Sequence, residues 1–281
     1  KKGIAELASS KAETLEAGEA ASRAIMTTDT HNKQAAVSLD LSGKTVTLGG
    51  MSNGSGMIPP GMCTMLAFLT TDAAIEKELL QKAVSEVVNE TFNMISVDGD
   101  MSTNDTLLVL ANGLAGNEEI REENEAYEAF KEALFFVCRE LAMEMAGDGE
   151  GATKLIESQV VHADTKEHAG ILAKAVIQSN LTKAAIFGKG ANWGRVLCAL
   201  GYSGVSFDPE KVDLYFEADG KKMLIFTDGS AADYSEEEAA ELLGSSKVVI
   251  LSDMHMGEEA ATAWGCDLTY DYVKINAAYR S

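Results

Sequence analysis

Hydrophobic and polar positions follow two different periods along this chain, and each period predicts a different kind of element. A period of two runs over residues 36–41 and again over 45–48, with a Gly43–Lys44 turn between them, which predicts a β-hairpin. From Tyr127 to Met145 the apolar positions instead recur every three to four residues, which predicts a long amphipathic helix. A helix of similar pattern is predicted over residues 5–25.

The rest of the chain alternates between strand-like and helix-like segments. The predicted strands cover residues 65–69, 92–97, 153–161, 184–187, 213–216, 223–226, 248–251 and 268–275. Helices are predicted over 73–89 and 193–200, after a capping pair formed by Asp164 and Glu167, and after a second pair formed by Ser235 and Glu238. We therefore expect a mixed α/β fold in which sheets and helices form layers.

Composition excludes several classes of protein. The 281 residues are 46% hydrophobic, but none of the apolar stretches approaches the roughly 18 residues that a membrane helix needs, so we expect a soluble protein. The formal net charge of −21 repels nucleic acid and anionic membranes. The first residues form no secretory signal and contain no initiating Met, so we expect a fragment of a longer protein.

Cysteines and histidines do not form a recognisable site along the sequence. The four cysteines are far apart, without a CxxC pair, which argues against a disulfide framework or a zinc knuckle and suits a reducing cytoplasm: Cys63, Cys138, Cys198 and Cys266. The four histidines lack the HExxH type of spacing: His31, His162, His168 and His255. We therefore predict no metal site and a cytoplasmic location.

The most unusual segment is the glycine-rich run over residues 49–65, which holds two of the three prolines of the chain. It is not a nucleotide-binding P-loop, because no GK[ST] follows the glycines. A mobile surface loop is one interpretation. The alternative is that a flexible loop leads into Cys63–Thr64, with Thr64 at the head of an apolar strand.

A threonine in such a position can act as a nucleophile without a histidine. Its hydroxyl can attack the preceding carbonyl, and hydrolysis of the resulting ester frees an N-terminal threonine. The freed α-amine, with a reference pKa of about 7.7–8.0, then serves as the general base for the hydroxyl. The rival nucleophile, Cys63, would be left at the C-terminus of the first fragment.

Several blocks of sequence resemble the ornithine acetyltransferase family, and they span nearly the whole chain in the family's order. The blocks are IMTTDT (25–30), GSGMI (54–58), TMLAFLTTDA (64–73), DGDMSTNDT (98–106), GEGATK (149–154), NWGR (192–195) and YDYVKINAAYRS (270–281). The resemblance implies self-cleavage between Cys63 and Thr64. It also implies a layered α-β-β-α sandwich, shared with self-processing aminopeptidases, with a smaller C-terminal α/β part.

The resemblance further implies a reaction and its participants. Acetyl would pass from N-acetylornithine to Thr64 and then to glutamate, in arginine biosynthesis, without a cofactor and with acetyl-CoA as a possible second donor. Residues 1–63 would belong to the α chain and 64–281 to the β chain, in an αβ heterodimer that pairs into a heterotetramer. The substrate-binding positions that the resemblance implies are Asn53, Thr64, Glu150, Asn276 and Ser281.

The chain departs from the family's pattern at four points. Asn53 stands where the family usually has Lys, Cys63 where it has Ala, and Gly190 where it has Asp. Family members also carry more than a hundred residues before this start, including a Thr-Gly pair that forms the oxyanion hole, often the largest catalytic contribution. Two alternatives therefore stay open: a self-processing N-terminal-threonine amidase or aminopeptidase, and a catalytically impaired homologue.

Overall fold

The computed structural model describes residues 2–58, 65–100 and 104–278. Its helices are α1 Lys2–Ser9, α2 Leu15–Ala24, α3 Lys77–Glu90, α4 Glu125–Gly147, α5 Lys166–Gln178, α6 Asn180–Phe187, α7 Trp193–Gly201, α8 Glu236–Leu242 and α9 Tyr270–Ala278. Its strands are β1 Lys33–Leu41, β2 Lys44–Asn53, β3 Leu66–Thr71, β4 Ile95–Ser96, β5 Thr106–Ala111, β6 Leu155–Ala163, β7 Asp213–Ala218, β8 Lys221–Thr227, β9 Ser230–Ala231, β10 Lys247–Asp253 and β11 Glu259–Cys266.

The first sheet has four strands in the order β1-β2-β3-β5. The predicted hairpin is confirmed: β1 and β2 pair antiparallel, with Val37 opposite Leu48. Along β2, Val46 and Leu48 are buried while Thr45 and Thr47 are exposed, because successive side chains of a strand point to opposite faces. One face of this sheet therefore belongs to the core.

Helix α4 packs against that face. Its N-terminus is capped by Asn124, whose side chain accepts hydrogen bonds from the backbone N–H groups of Ala126 and Tyr127. Apolar residues at helical spacing are fully buried along it, among them Phe130, Leu134 and Leu141. The helix contacts β1 and β2 on one side and β11 and β6 on the other, so it lies between the two sheets.

The second sheet has seven strands in the order β4-β11-β6-β10-β7-β8-β9. Its centre is the parallel pair β6 and β10, flanked by antiparallel partners. Helix α5 packs on β11 and β6 and contacts α7. The α/β class is thus confirmed, with two sheets and helices in layers.

The outer face of the four-stranded sheet is largely open among the described residues. Leu108 and Leu110 on β5 are 43% and 57% exposed. Helix α2 reaches only one end of the sheet, where Gln34 donates a hydrogen bond to the carbonyl of Gly18.

Several local predictions were wrong. Residues 184–187 and 270–275, predicted as strands, are helical, in α6 and α9, because short apolar runs have no period that separates a strand from a helix. The strand predicted over 92–97 is reduced to β4, and Phe92–Met94 forms a 3-10 turn. Residues 5–25 form two helices with a break at residues 10–14. The cap of α5 is Thr165, whose hydroxyl accepts from the N–H of His168, and not Asp164.

No helix formed by the described residues combines the length and the apolar character needed to cross a bilayer.

Candidate active site

The residues predicted to form the site fall into two groups. Cys63, Thr64 and Ser281 lie outside the residues that the structure describes. Asn53, Glu150 and Asn276 lie within them. The structure also describes the residues on both sides of the 59–64 segment.

Both flanks of this segment are held by backbone and carboxylate contacts. On the N-terminal side, Asp98 accepts hydrogen bonds from the backbone N–H of Met57 (2.7 Å) and of Ile58 (3.1 Å). The carbonyl of Ile58 accepts a further bond from Val97 at 2.8 Å. On the C-terminal side, Met65 donates its N–H to Asp105 Oδ1 at 3.1 Å. The ends of the predicted cleavage segment are therefore fixed.

Asp105 accepts the N–H of Met65, the residue that follows the predicted nucleophile in the sequence, and it has an unusual environment. Burial raises the pKa of its carboxyl above the ordinary value, an effect opposed by the hydrogen bond from Met65. Its Oδ2 is buried and has no hydrogen-bond partner among the described residues. The carboxyl group that binds Met65 therefore keeps an acceptor atom without a partner among the described residues.

Two predicted substrate-binding residues, 126 positions apart in the chain, meet at the end of α4. The side-chain amide of Asn276 on α9 donates to Glu150 Oε2 at 2.8 Å. Glu150 also donates its N–H to the carbonyl of Ser55 at 2.7 Å, which ties it to the glycine-rich segment. A Cβ on Gly56 would lie 2.7 Å from the Glu150 carboxyl carbon, so a side chain at residue 56 would displace the end of the Glu150 side chain.

Helix α9 packs directly on the loop that carries Glu150. Gly151 has a φ of +70°, and a Cβ there would lie 2.6 Å from the backbone nitrogen of Tyr272. Burial raises the pKa of Tyr272 to about 12, and the negative charges of Asp98, Asp100 and Glu150 add to the effect. The group of carboxylates around Tyr272 makes this region attractive to a cation.

The side chain of Asn53 is buried and binds backbone groups. It is only 6% exposed, its Oδ1 accepts the N–H of Leu66 at 2.8 Å, and its Nδ2 donates to the carbonyl of Ile25. Both polar atoms of this amide therefore bind backbone. The structure does not bring it into contact with Glu150, and its role in substrate binding stays a prediction.

A buried ion-pair network lies next to the loop that carries Glu150. The ammonium of Lys33 lies 2.7 Å from Asp29 Oδ1 and 2.6 Å from Asp148 Oδ2, and all three side chains are almost completely buried. Asp29 also accepts the N–H of Gly54 at 2.8 Å. The network thus joins β1, the glycine-rich segment and the end of α4, two residues before Glu150.

A sizeable cavity lies elsewhere among the described residues. It has a volume of about 980 Å³ and is lined by residues of α3, α4, α5 and β11, among them Phe135, Arg139 and Trp264. It includes none of the predicted site residues. We place the candidate site at Glu150, where predicted site residues meet, and not at this cavity.

Sequence reasoning named some functional positions and missed others. The DGDMSTNDT and YDYVKINAAYRS blocks contain Asp98, Asp105 and Tyr272, yet only the structure shows that these three surround the same segment. Lys33 lies outside every block and had no signal in the sequence, since a lysine on an alternating strand is normally exposed.

Comparison with known proteins gives a consistent result. The sequence profile of the ArgJ family matches residues 1–281. The arginine biosynthesis bifunctional protein ArgJ of Symbiobacterium thermophilum is 55% identical over 95% of this chain and 65% of its own length. The protein of the same name from Bacillus subtilis is 48% identical over 92% of this chain and 63% of its own length.

A solved structure is similar as well. The crystal structure of arginine biosynthesis bifunctional protein argJ from Bacillus halodurans, at 2.00 Å resolution, has a TM-score of 0.74 and 47% sequence identity. The match covers 77% of this chain and 100% of that one. The chain spans slightly less than two thirds of the length of the curated relatives it matches. It belongs to the ArgJ family.

Proposed function

We propose that the full-length protein transfers acetyl from N-acetylornithine to glutamate through an acetyl ester on Thr64. The observation that carries this proposal is the meeting of Glu150 and Asn276 beside the glycine-rich segment that leads to Thr64. The name of the relatives, arginine biosynthesis bifunctional protein, supports both this reaction and a second one with acetyl-CoA as donor.

The chemistry begins with cleavage of the chain. The Thr64 hydroxyl attacks the Cys63 carbonyl, the Cys63–Thr64 amide becomes an ester, and water hydrolyses that ester to free the Thr64 amine. The similar crystal structure supports this division. All of its chain matches 77% of the present chain, and residues 64–281, which are 218 of the 281 residues, make up about the same share. Residues 1–63 are then the α segment.

The transfer itself has two steps. The Thr64 hydroxyl, deprotonated by its own amine, attacks the acetyl carbonyl of N-acetylornithine, and ornithine leaves after its amine takes up the proton. The amine of glutamate then attacks the ester, which releases N-acetylglutamate and restores the hydroxyl. Glu150 binds the side-chain ammonium of ornithine, because its Oε1 has no hydrogen-bond partner among the described residues and its surroundings are negative.

Location, assembly and cofactor use belong to the same proposal. We expect a cytoplasmic enzyme without a cofactor, built from αβ heterodimers that pair into a heterotetramer. Asn276 orients Glu150 through their 2.8 Å bond. Asn53 fixes the start of β3 through its bond to Leu66. Ser281, at the C-terminus, contributes to substrate binding.

Replacing Glu150 tests the proposed recognition of the ammonium. We expect Glu150→Gln to raise KM for N-acetylornithine about 10–100-fold with a smaller change in kcat, because a hydrogen bond to a charged group contributes about 1.5–3 kcal/mol. Glu241→Gln, which removes the same charge from an exposed position on α8, is the control. An unchanged KM in Glu150→Gln would contradict the proposal that Glu150 binds the ammonium of the substrate.

The transfer reaction separates the proposal from an amidase. The full-length protein is incubated with N-acetylornithine, with and without glutamate, and acetate and N-acetylglutamate are measured. We expect N-acetylglutamate to form in step with ornithine when glutamate is present. Acetate release that glutamate does not alter would show that water is the acceptor and would reject the transferase assignment.

A further inference from the structure

Four side chains from three strands meet at one end of the seven-stranded sheet, away from the candidate active site. Asp253 is the last residue of β10, and its neighbours across the sheet are Val161 on the parallel strand β6 and Asp213, the first residue of the antiparallel strand β7. His162 follows Val161, and His255 lies two residues beyond β10. The topology therefore gathers two histidines and two aspartates that have no common spacing in the sequence.

Three of these side chains have the separations of a metal-ligand set. Asp253 Oδ1 lies 2.8 Å from His162 Nδ1 and 3.5 Å from His255 Nδ1. One ligand atom from each of the three residues lies within 4.8 Å of the others. Zn²⁺ binds nitrogen and oxygen at about 2.0–2.1 Å, which places neighbouring tetrahedral ligands about 3.3 Å apart. The two distances from Asp253, 2.8 and 3.5 Å, lie just below and just above this ligand–ligand separation.

The fourth side chain orients one of the ligands. Asp213 Oδ2 lies 2.9 Å from His255 Nε2, on the side of the ring opposite Nδ1. A carboxylate that accepts the N–H of one ring nitrogen leaves the lone pair of the other nitrogen for a metal ion, and metal-bound histidines commonly have such a partner. In His255 that second nitrogen is the one facing Asp253.

The backbone holds the two histidine-bearing segments together. The carbonyl of His162 accepts hydrogen bonds from the N–H groups of Met256 (2.7 Å) and Gly257 (2.9 Å). A Cβ on Gly257 would lie only 2.5 Å from the carbonyl oxygen of Ala163, so this contact requires glycine. The ligands therefore lie on a framework that is set before any ion arrives, which reduces the ordering cost of binding.

The cluster is open to ions and has no competing cation. The side chains of His162 and His255 are 54% and 46% exposed, while those of Asp253 and Asp213 are 17% and 21% exposed. No lysine or arginine among the described residues forms an ion pair with either aspartate. The formal charge of −21 attracts a divalent cation to the protein as a whole.

We propose that His162, Asp253 and His255 bind one Zn²⁺ ion, with Asp213 as the positioning residue for His255 and water at the remaining coordination position. Imidazole and carboxylate ligands suit Zn²⁺ among the divalent ions. The ion ties the end of β6 to the end of β10. Because β6 rises about 3.3 Å per residue between Leu155 and His162, the ion lies about 20 Å from the end of the strand that adjoins the Glu150 loop.

Calorimetric titration with Zn²⁺ tests the proposal. All variants carry Cys198→Ser, which removes the exposed thiol as a competing ligand. We expect the parent to bind one ion with a micromolar Kd. His162→Ala and His255→Ala should each weaken binding more than tenfold, and Asp213→Asn about 10–100-fold. Adding Zn²⁺ should raise the Tm of the parent, and raise that of His162→Ala and His255→Ala much less, because an ion that binds only the folded state stabilises it.

The chain contains a matched control. His168 Nδ1 lies 2.8 Å from Asp164 Oδ1, an exposed histidine–aspartate pair without the second histidine. His168→Ala should leave the Kd and the stoichiometry unchanged. Absence of binding by the parent, or the same affinity in His162→Ala and His255→Ala, would overturn the proposal. Equal Tm values in chelator for all variants establish that the fold is retained.

Discussion

Thr64→Ala is expected to leave the full-length protein as one uncleaved chain without transferase activity, whereas the wild type separates into two fragments that divide between Cys63 and Thr64. The physical reason is that alanine has no hydroxyl to attack the preceding carbonyl, and it cannot carry the acetyl ester in the later reaction. Intact-mass measurement under denaturing conditions detects the fragments directly, and a transfer assay on the same samples detects the loss of activity.

Two further variants make this result specific to the hydroxyl of residue 64. Thr64→Ser keeps the hydroxyl and should still cleave, at a reduced rate. Cys63→Ala removes the rival nucleophile and should cleave as the wild type does. An uncleaved wild type, or a Cys63→Ala variant that no longer cleaves, would contradict the assignment of the nucleophile.

Lys33→Met is expected to lower the free energy of unfolding by about 3–5 kcal/mol. Lys33 is completely buried between Asp29 and Asp148, at 2.7 and 2.6 Å. Its removal leaves two carboxylates in the interior without their buried ammonium partner. Urea denaturation at neutral pH measures the change, and Lys44→Met, at the exposed start of β2, serves as the control with an expected change near zero.

The same ion-pair network leads to two further expectations: further substitutions should restore stability to Lys33→Met, and the stability of the protein should depend on pH. Adding Asp29→Asn and Asp148→Asn to Lys33→Met should recover part of the lost stability, because neutral amides replace the unpaired charges. Burial raises the pKa of Asp29, but hydrogen bonds from Lys33, Thr27 and Gly54 outweigh that effect and hold it below its ordinary value. This contribution is therefore present above the unfolded pKa of about 3.9 and is lost as the pH falls through the folded pKa. A triple variant no more stable than Lys33→Met would argue against unpaired charge as the cause.

The parts of the fold that the sequence predicted are those with a long, regular period. Helix α4 and the β1–β2 hairpin each bury one face, and that requirement places apolar residues at a spacing visible in the sequence. Helix α9 was predicted as a strand because its aromatic and β-branched residues resemble one. Its conformation is instead set by contacts with distant residues, through Tyr272 to Asp98 and through Asn276 to Glu150.

The candidate site was predictable to the extent that its residues occur in contiguous blocks. The family assignment from those blocks is confirmed, and Glu150 and Asn276 do lie together. The Lys33 network and the His162 cluster had no local signal, because each depends on how strands are ordered in a sheet. His162 and Asp253, for example, are 91 positions apart and meet only because β6 and β10 are parallel neighbours.

The length of the chain affects how its activity should be tested. The curated relatives are about half as long again as this chain. The resemblance to the ornithine acetyltransferase family implies that the further residues lie at the N-terminus, so activity is best compared between the 281-residue chain and a version extended there with the corresponding segment of the Symbiobacterium thermophilum relative. We expect the extended version to be the more active one, because the resemblance places oxyanion-stabilising groups in that segment.

The most direct test of the proposed mechanism is the mass of the β fragment after brief incubation of the extended version with N-acetylornithine in the absence of glutamate. The account predicts a gain equal to one acetyl group, located by fragmentation on the Thr64 hydroxyl and removed when glutamate is added. Ornithine release without an acetylated fragment, or an acetyl group located on any other residue, would contradict it.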